Sequence, residues 1–354
     1  MSVIQEEKEI SIREAREVVK DLMVPNAFIY WVDFLFHIVL GWCSFYLCYN
    51  ADFFSPGQWV FFFVSIFSFY RAAIFIHEIT HLRKGTFYLF RVVWNLLCGF
   101  PLMIPSFLYQ GVHNDHHNIK LYGTRGDGEY FPFVDKGRSK IILFTLASFF
   151  VPAFFFVRFV LLTPLSYCNK SVRSLVLEKI SSFSIDPNYK RTRSSLNAVD
   201  MWQAQEIATC LYGWFFILLM LGGVLPCKIF GLWCITFGLV FFINSLRTLA
   251  AHCYRYSGED VLSISEQLLD SVNIPNSFLG VLWAPVGLRF HATHHLIPEM
   301  PYHSLGKTDK RLREQFSKKD LYIQTNSNGL LSTLARLWRE SGNLAFFVLF
   351  VECF

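Results

Sequence analysis

The chain has 354 residues, of which 53% are hydrophobic, 18% aromatic and only 17% charged, and its formal net charge is +5. That length would suit two soluble domains, but the long apolar runs point to a polytopic membrane protein, and the mild positive charge sits in loops, where topology explains it better than a nucleic-acid partner. The nine cysteines stand singly with no Cys-x2-Cys pair, which argues against a zinc ribbon or a disulfide framework.

The charged, amphipathic start of the sequence is not expected to be a cleavable signal. Ser11 with Glu14 reads as a capping box, and Ile12, Ala15, Val18, Val19 and Leu22 then share one face. Residues 1–27 are therefore expected to be a cytoplasmic amphipathic segment lying on the membrane or the protein. Residues 28–310 form the expected membrane domain, and 311–354 a C-terminal cytoplasmic tail. Four spans are predicted, near 28–49, 59–76, 207–225 and 229–250, each long enough for a hydrocarbon core of about 30 Å. Asp33 and Arg71 lie at matching depths in the first two, which predicts an intramembrane ion pair. Two further apolar stretches, 87–109 with Pro101 and Pro105 and 141–165 with Pro152, Arg158 and Pro164, are expected to be interfacial or re-entrant, bent at their prolines. This assignment follows from parity, because the Lys and Arg of 170–193 and the region around Arg83, Lys84 and Lys120 should all be cytoplasmic.

The chain has 11 histidines. Five lie in "HEITH" (His77, His81) and "GVHNDHHN" (His113, His116, His117), three in "RFHATHHL" (His291, His294, His295), and His252 follows the fourth predicted span. A single histidine at a membrane surface is usually only a polar interfacial residue, but residues three and four apart share a helix face, so each group can aim its imidazoles together. Parity puts all nine on one face, at or just beyond the ends of spans. His37, within a span, and His303, past the third group, stand apart. Nine imidazoles exceed one ion's needs, since zinc takes four ligands. Two ions of five- or six-fold coordination match the count, although imidazole suits iron, copper, nickel and zinc alike. The expected architecture is thus all-α, with about four transmembrane helices, interfacial helices, and a cytoplasmic helical cap carrying a di-metal site. Ligating imidazoles need acceptors for their second N–H. Glu78, Asp115 and Asp270 are the main candidates, with Asp260, Glu266 and Glu299 further off.

At these residues the chain resembles the membrane fatty acid desaturase and hydroxylase superfamily. Its three boxes stand here as His77-x3-His81, His113-x2-His116-His117 and His291-x2-His294-His295, in order and in place relative to the spans. The stretch from Leu246 through "EQLLDSVN" to Leu305 looks like a bacterial-type branch. The resemblance covers roughly residues 55–310 and implies two non-haem irons on the nine histidines. It also implies O2 as co-substrate and a lipid acyl chain as substrate, desaturated or, alternatively, hydroxylated or oxidised to a ketone. His252 corresponds to the family's extra ligand after the fourth span. Four residues before it the family has Asn where this chain has Thr248, and Asn244 is a weaker substitute.

No His-Pro-Gly-Gly haem motif and no nucleotide-binding glycine fingerprint is present. Electrons are therefore expected from a separate ferredoxin, rubredoxin or cytochrome b5 type donor, which Arg83, Lys84, Arg125 and Arg289 would face. The membrane would be the bacterial inner membrane, or the endoplasmic reticulum of a eukaryote. An intramembrane metalloprotease would use HExxH with one later Asp, such as Asp127 of "RGDGEY", and would leave seven clustered histidines without work. A metal transporter would place its ligands near the bilayer midplane rather than at one face.

Overall fold

The computed structural model describes residues 12–82, 85–258, 260–277, 279–316 and 321–351, with backbone alone over 343–351. Regular structure among these residues is helical, with isolated bridges beside the helices. Ser11, of the expected capping box, and Arg83 and Lys84 lie outside the described residues. The chain forms two compact units. The first comprises Ala27–Asp115 and Leu143–Ser245, the second Met1–Asn26, His116–Ile142 and Leu246–Phe354.

The helices long and apolar enough to cross a membrane are Ala27–Asn50, Pro56–His81, Val151–Cys168, Trp202–Leu221 and Cys227–Leu249. Four coincide with the predicted spans. Pro56–His81 starts where Ser55 accepts the Gln58 N–H at 3.1 Å with Pro56 following, and it stops at extended Leu82. In the first unit, Asp33 takes a two-point hydrogen bond from Arg71, 2.7 Å from Nε and 2.5 Å from Nη2, as the matching depths predict.

The proline-containing stretches divide. Residues 88–99 form an apolar helix of about 18 Å, too short to span, which ends before Pro101. Asn95 in its last turn closes the bend, accepting from Ser106 N at 2.9 Å. The 141–165 stretch differs from expectation, because it overlaps Val151–Cys168, 18 residues or about 27 Å, a fifth helix of spanning length. Its π turn at Arg158–Leu162 has a local cause. Pro164 has no N–H to give and its ring crowds the carbonyl four residues back, so the Thr163 N–H reaches Arg158 O instead, and the freed Val160 carbonyl accepts from the Trp214 indole at 3.1 Å. Arg158 is fully buried, and Glu206 meets it at 2.7 Å while also taking Arg173 at 2.7 Å. A charge among apolar helices persists only when paired in this way.

Also in the first unit, the loop after Lys170–Lys179 is bound to the helix Phe107–His116. Arg191 Nη1 donates to Phe107 O and Ser181 O, each at 2.6 Å, and Phe183 N donates to Leu108 O at 2.9 Å. Gly111 permits this approach, since a Cβ there would stand 2.3 Å from Arg191 Nη2.

In the second unit the Ile12–Val18 helix buries Ala15, Val19 is buried just beyond it, and Arg16 pairs with Glu299 at 2.9 Å. Ala250, Cys253, Val272 and Ile274 make a small core covered by Trp283, Leu330 and Leu334. Leu330 and Leu334, beyond residue 310, thus pack within this unit. None of the eight described cysteines is in a disulfide.

Candidate metal centre

The second unit brings four imidazoles together. One nitrogen from each of His116, His252, His291 and His295 lies within 4.8 Å of every other. His291 Nε2 is 2.9 Å from His252 Nε2 and 3.2 Å from His295 Nε2. Nitrogens bound to one ion at about 2.1 Å would stand about 3.0 Å apart at a right angle and about 3.4 Å at the tetrahedral angle, so the spacing suits a shared metal.

Proton placement supports the same conclusion. Asp127 Oδ2 lies 2.8 Å from His116 Nδ1 and is itself completely buried. A carboxylate only accepts, so Nδ1 carries the proton and Nε2 presents a lone pair. Tyr122 donates its one hydroxyl proton to Asp270 Oδ2 at 2.9 Å, so it must accept from His252 Nδ1 at 2.8 Å, which again leaves Nε2 bare. Burial, then the nearby His116 and Arg247, hold His252 well below the usual imidazole range. Burial and the neighbouring His252 and His295 do the same to His291. Both are neutral imidazoles at neutral pH. Burial alone would also depress His116, but the Asp127 carboxylate overrides it and raises this imidazole. Burial pushes Asp270 up to about 6 against the hydrogen bonds of Tyr122 and Tyr130, which hold it down. These buried imidazoles, with His252 and His291 held neutral and the Nδ1 of His116 and His252 each engaged by a hydrogen-bond partner, fit a resident metal ion.

The same unit sets His117 Nε2 3.0 Å from His294 Nε2. The first unit holds its own trio. The rings of His77, His81 and His113 lie 4.6–4.9 Å apart, and His81 Nε2 is 2.8 Å from His113 Nε2. Tyr109 OH meets His113 Nδ1 at 2.9 Å. Glu78 Oε1 is 3.7 Å from His77 Nδ1, and its Oε2 accepts from Tyr30 OH at 2.6 Å.

Of the expected acceptors, Asp270 acts through Tyr122 and lies 3.6 Å from His252 Nδ1. Asp115 accepts from Tyr189 OH at 3.1 Å. Glu266 closes the capping box at Ser263, and Glu299 pairs with Arg16, so both hold local structure instead. Asp127 is the acceptor that sequence reasoning missed. It stands in a polar, glycine-flanked loop, and only the contact with His116 reveals its place. His303 accepts from Asn26 N at 3.1 Å, and His37 sits beside Asp33. Thr248 Oγ1 accepts from Arg247 at 3.1 Å. Arg289 stacks on Phe290 and donates to Ser277 O, so it is a poor docking cation, whereas Arg125 is exposed.

A profile described as fatty acid desaturase matches residues 54–327. The chain belongs to the fatty acid desaturase family. This desaturase-family protein is 38% identical over 330 residues, 93% of each chain, to the ceramide hydroxylase of Caulobacter vibrioides (strain NA1000 / CB15N). No solved structure matches it significantly. Proteins of the family are membrane oxidoreductases with di-iron sites that act on lipids, and the histidine groups agree with that class.

Proposed function

We propose that this desaturase-family enzyme is a membrane-bound, O2-dependent hydroxylase of a ceramide-type lipid, with its nine histidines holding two irons, one of them on His116, His252, His291 and His295. The observation that carries the choice is the similarity to a ceramide hydroxylase along 93% of both chains. Desaturation of a lipid acyl chain is the second reading, favoured by the family profile. Both begin with removal of hydrogen from an unactivated C–H bond.

When bound, the irons would activate O2 to supply that oxidising power. The protein's own work is placement. Asp127, and Tyr122 backed by Asp270, fix two ligand tautomers so that Nε2 faces inward. Burial of His77, His113, His116, His252, His291 and His294 keeps water from the ligands. Electrons would arrive from a separate ferredoxin, rubredoxin or cytochrome type donor.

The test uses the purified enzyme in nanodiscs containing ceramide, with O2 and a ferredoxin and reductase pair, read by mass spectrometry against His116→Ala. A ceramide gaining one oxygen atom supports hydroxylation, and one losing two hydrogens supports desaturation. About one zinc per chain, unaffected by His116→Ala, with no O2 uptake would refute both.

A further inference from the structure

The third-box helix, His291–Leu296, carries three of the nine histidines, yet it is only six residues long and its N-cap Phe290 provides no side-chain cap. So short a helix does not hold its own shape. Its first ligand is also poorly steadied, because the buried Nδ1 of His291 meets no hydrogen-bond acceptor among the described residues. The orientation of His291 must come from whatever grips the backbone around it.

That grip converges on one side chain. Asn273 Oδ1 accepts the Thr293 N–H at 3.1 Å, an N-terminal cap supplied from a distant segment. On the other side of the amide, Nδ2 faces Tyr322 OH at 3.3 Å and Asp309 Oδ1 at 3.4 Å. Tyr322 OH donates to Asp309 Oδ1 at 2.9 Å and accepts from Thr293 Oγ1 at 2.7 Å, while Arg313 Nε bonds Asp309 Oδ2 at 2.8 Å. The Asn273 backbone is engaged as well. It bridges to Phe290, the residue before His291, and its N–H and C=O bond Thr325 O and Ser327 N at 2.9 and 2.7 Å. Asn273, Thr293, Asp309 and Tyr322 are all completely buried. A buried polar network of this kind is costly unless every member is satisfied, and once satisfied it admits a single geometry.

We propose that Asn273 is a positioning residue for the metal centre: it caps the third-box helix in trans and, through Tyr322 and Asp309, ties the ligand geometry of His291, His294 and His295 to the helices Tyr302–Gln315 and Leu321–Gln324. The side chain of Asn273 hydrogen-bonds Thr293, Asp309 and Tyr322, none of them a ligand ring, and acts through the backbone it holds. The inference rests on the metal-centre reading above but not on hydroxylation as against desaturation.

The test is cobalt(II) binding to the full-length detergent-purified protein, by competition with a chromophoric chelator and by the visible ligand-field spectrum. Asn273→Ala is expected to weaken binding about tenfold or more and to alter the spectrum. Asn95→Ala, which removes a comparable buried amide network in the first unit, should lower Tm and leave both readouts unchanged. Tyr322→Phe deletes one hydroxyl and offers a milder probe should Asn273→Ala not fold; a severalfold loss is expected. Unchanged affinity and spectrum in both the Asn273 and Tyr322 variants, or equal losses in Asn95→Ala, would overturn the proposal. A wild-type chain that binds no cobalt would overturn the metal-centre reading and this proposal with it.

Discussion

Asp127 offers the sharpest test of how the protein prepares its ligands. Its Oδ2 serves both His116 Nδ1 at 2.8 Å and Gly123 N at 3.0 Å, and Oδ1 accepts from Glu129 N at 2.9 Å. In Asp127→Asn only one oxygen remains. If it stays on the His116 side, the new NH2 opposes the Glu129 N–H and one backbone donor loses its partner, at about 1–3 kcal/mol. If it turns to Glu129, the NH2 points at His116 and favours the tautomer with the proton on Nε2, which removes a metal ligand. Either orientation replaces a charge-assisted bond with a neutral one. Partners of this kind are worth about 10–100-fold in metal affinity, or about 1.4–2.8 kcal/mol at 1.4 kcal/mol per decade. The assay is metal titration against a chelator at fixed pH, with Glu299→Gln as a control whose exposed ion pair should not affect metal. An Asp127→Asn protein binding within twofold of wild type, alongside a His116→Ala protein that has lost the site, would refute the reasoning.

Asp33→Ala removes the two-point carboxylate partner of Arg71 and should lower the detergent Tm while metal content stays at the wild-type level; altered metal with normal stability would contradict a purely structural pair. Glu206→Gln leaves fully buried Arg158 without its countercharge and should destabilise by about 3–5 kcal/mol in thermal or denaturant unfolding, with the Arg158→Met and Glu206→Leu double variant recovering much of that loss. Glu340 is held below the usual carboxylate range, first by its hydrogen bond from Arg255. Because its folded-state pKa is depressed, the pair's stabilisation is fully present above the unfolded Glu value and is lost as pH falls through the lower folded one. Its exposure limits the effect to below about 1 kcal/mol, seen as a shallower acid limb of Tm against pH in Glu340→Gln.

Some of this protein could be read from local spacing alone. Apolar length marked four helices because crossing a membrane needs about 20 apolar residues wherever they occur. His-x3-His and His-x2-His-His marked the histidine groups that converge in the fold, because a helix puts residues three and four apart on one face. The depth match of Asp33 with Arg71 worked for a related reason, since two helices joined by a short turn run antiparallel and pair residues equidistant from it. The fifth long helix escaped that reading because Arg158 and two prolines disguised it, and its charge is acceptable only through Glu206, about 48 residues away in the chain. The partners of the ligands escaped it too. Asp127, Tyr122 and Asn273 are ordinary residues in polar or loop-like stretches, and nothing in their neighbours along the chain distinguishes them. Hydrogen bonding depends on ångström-scale approach between segments far apart in the chain, 130 residues for Tyr122 and His252 and 148 for Tyr122 and Asp270, so the identity of each ring's partner is settled only when the chain has folded.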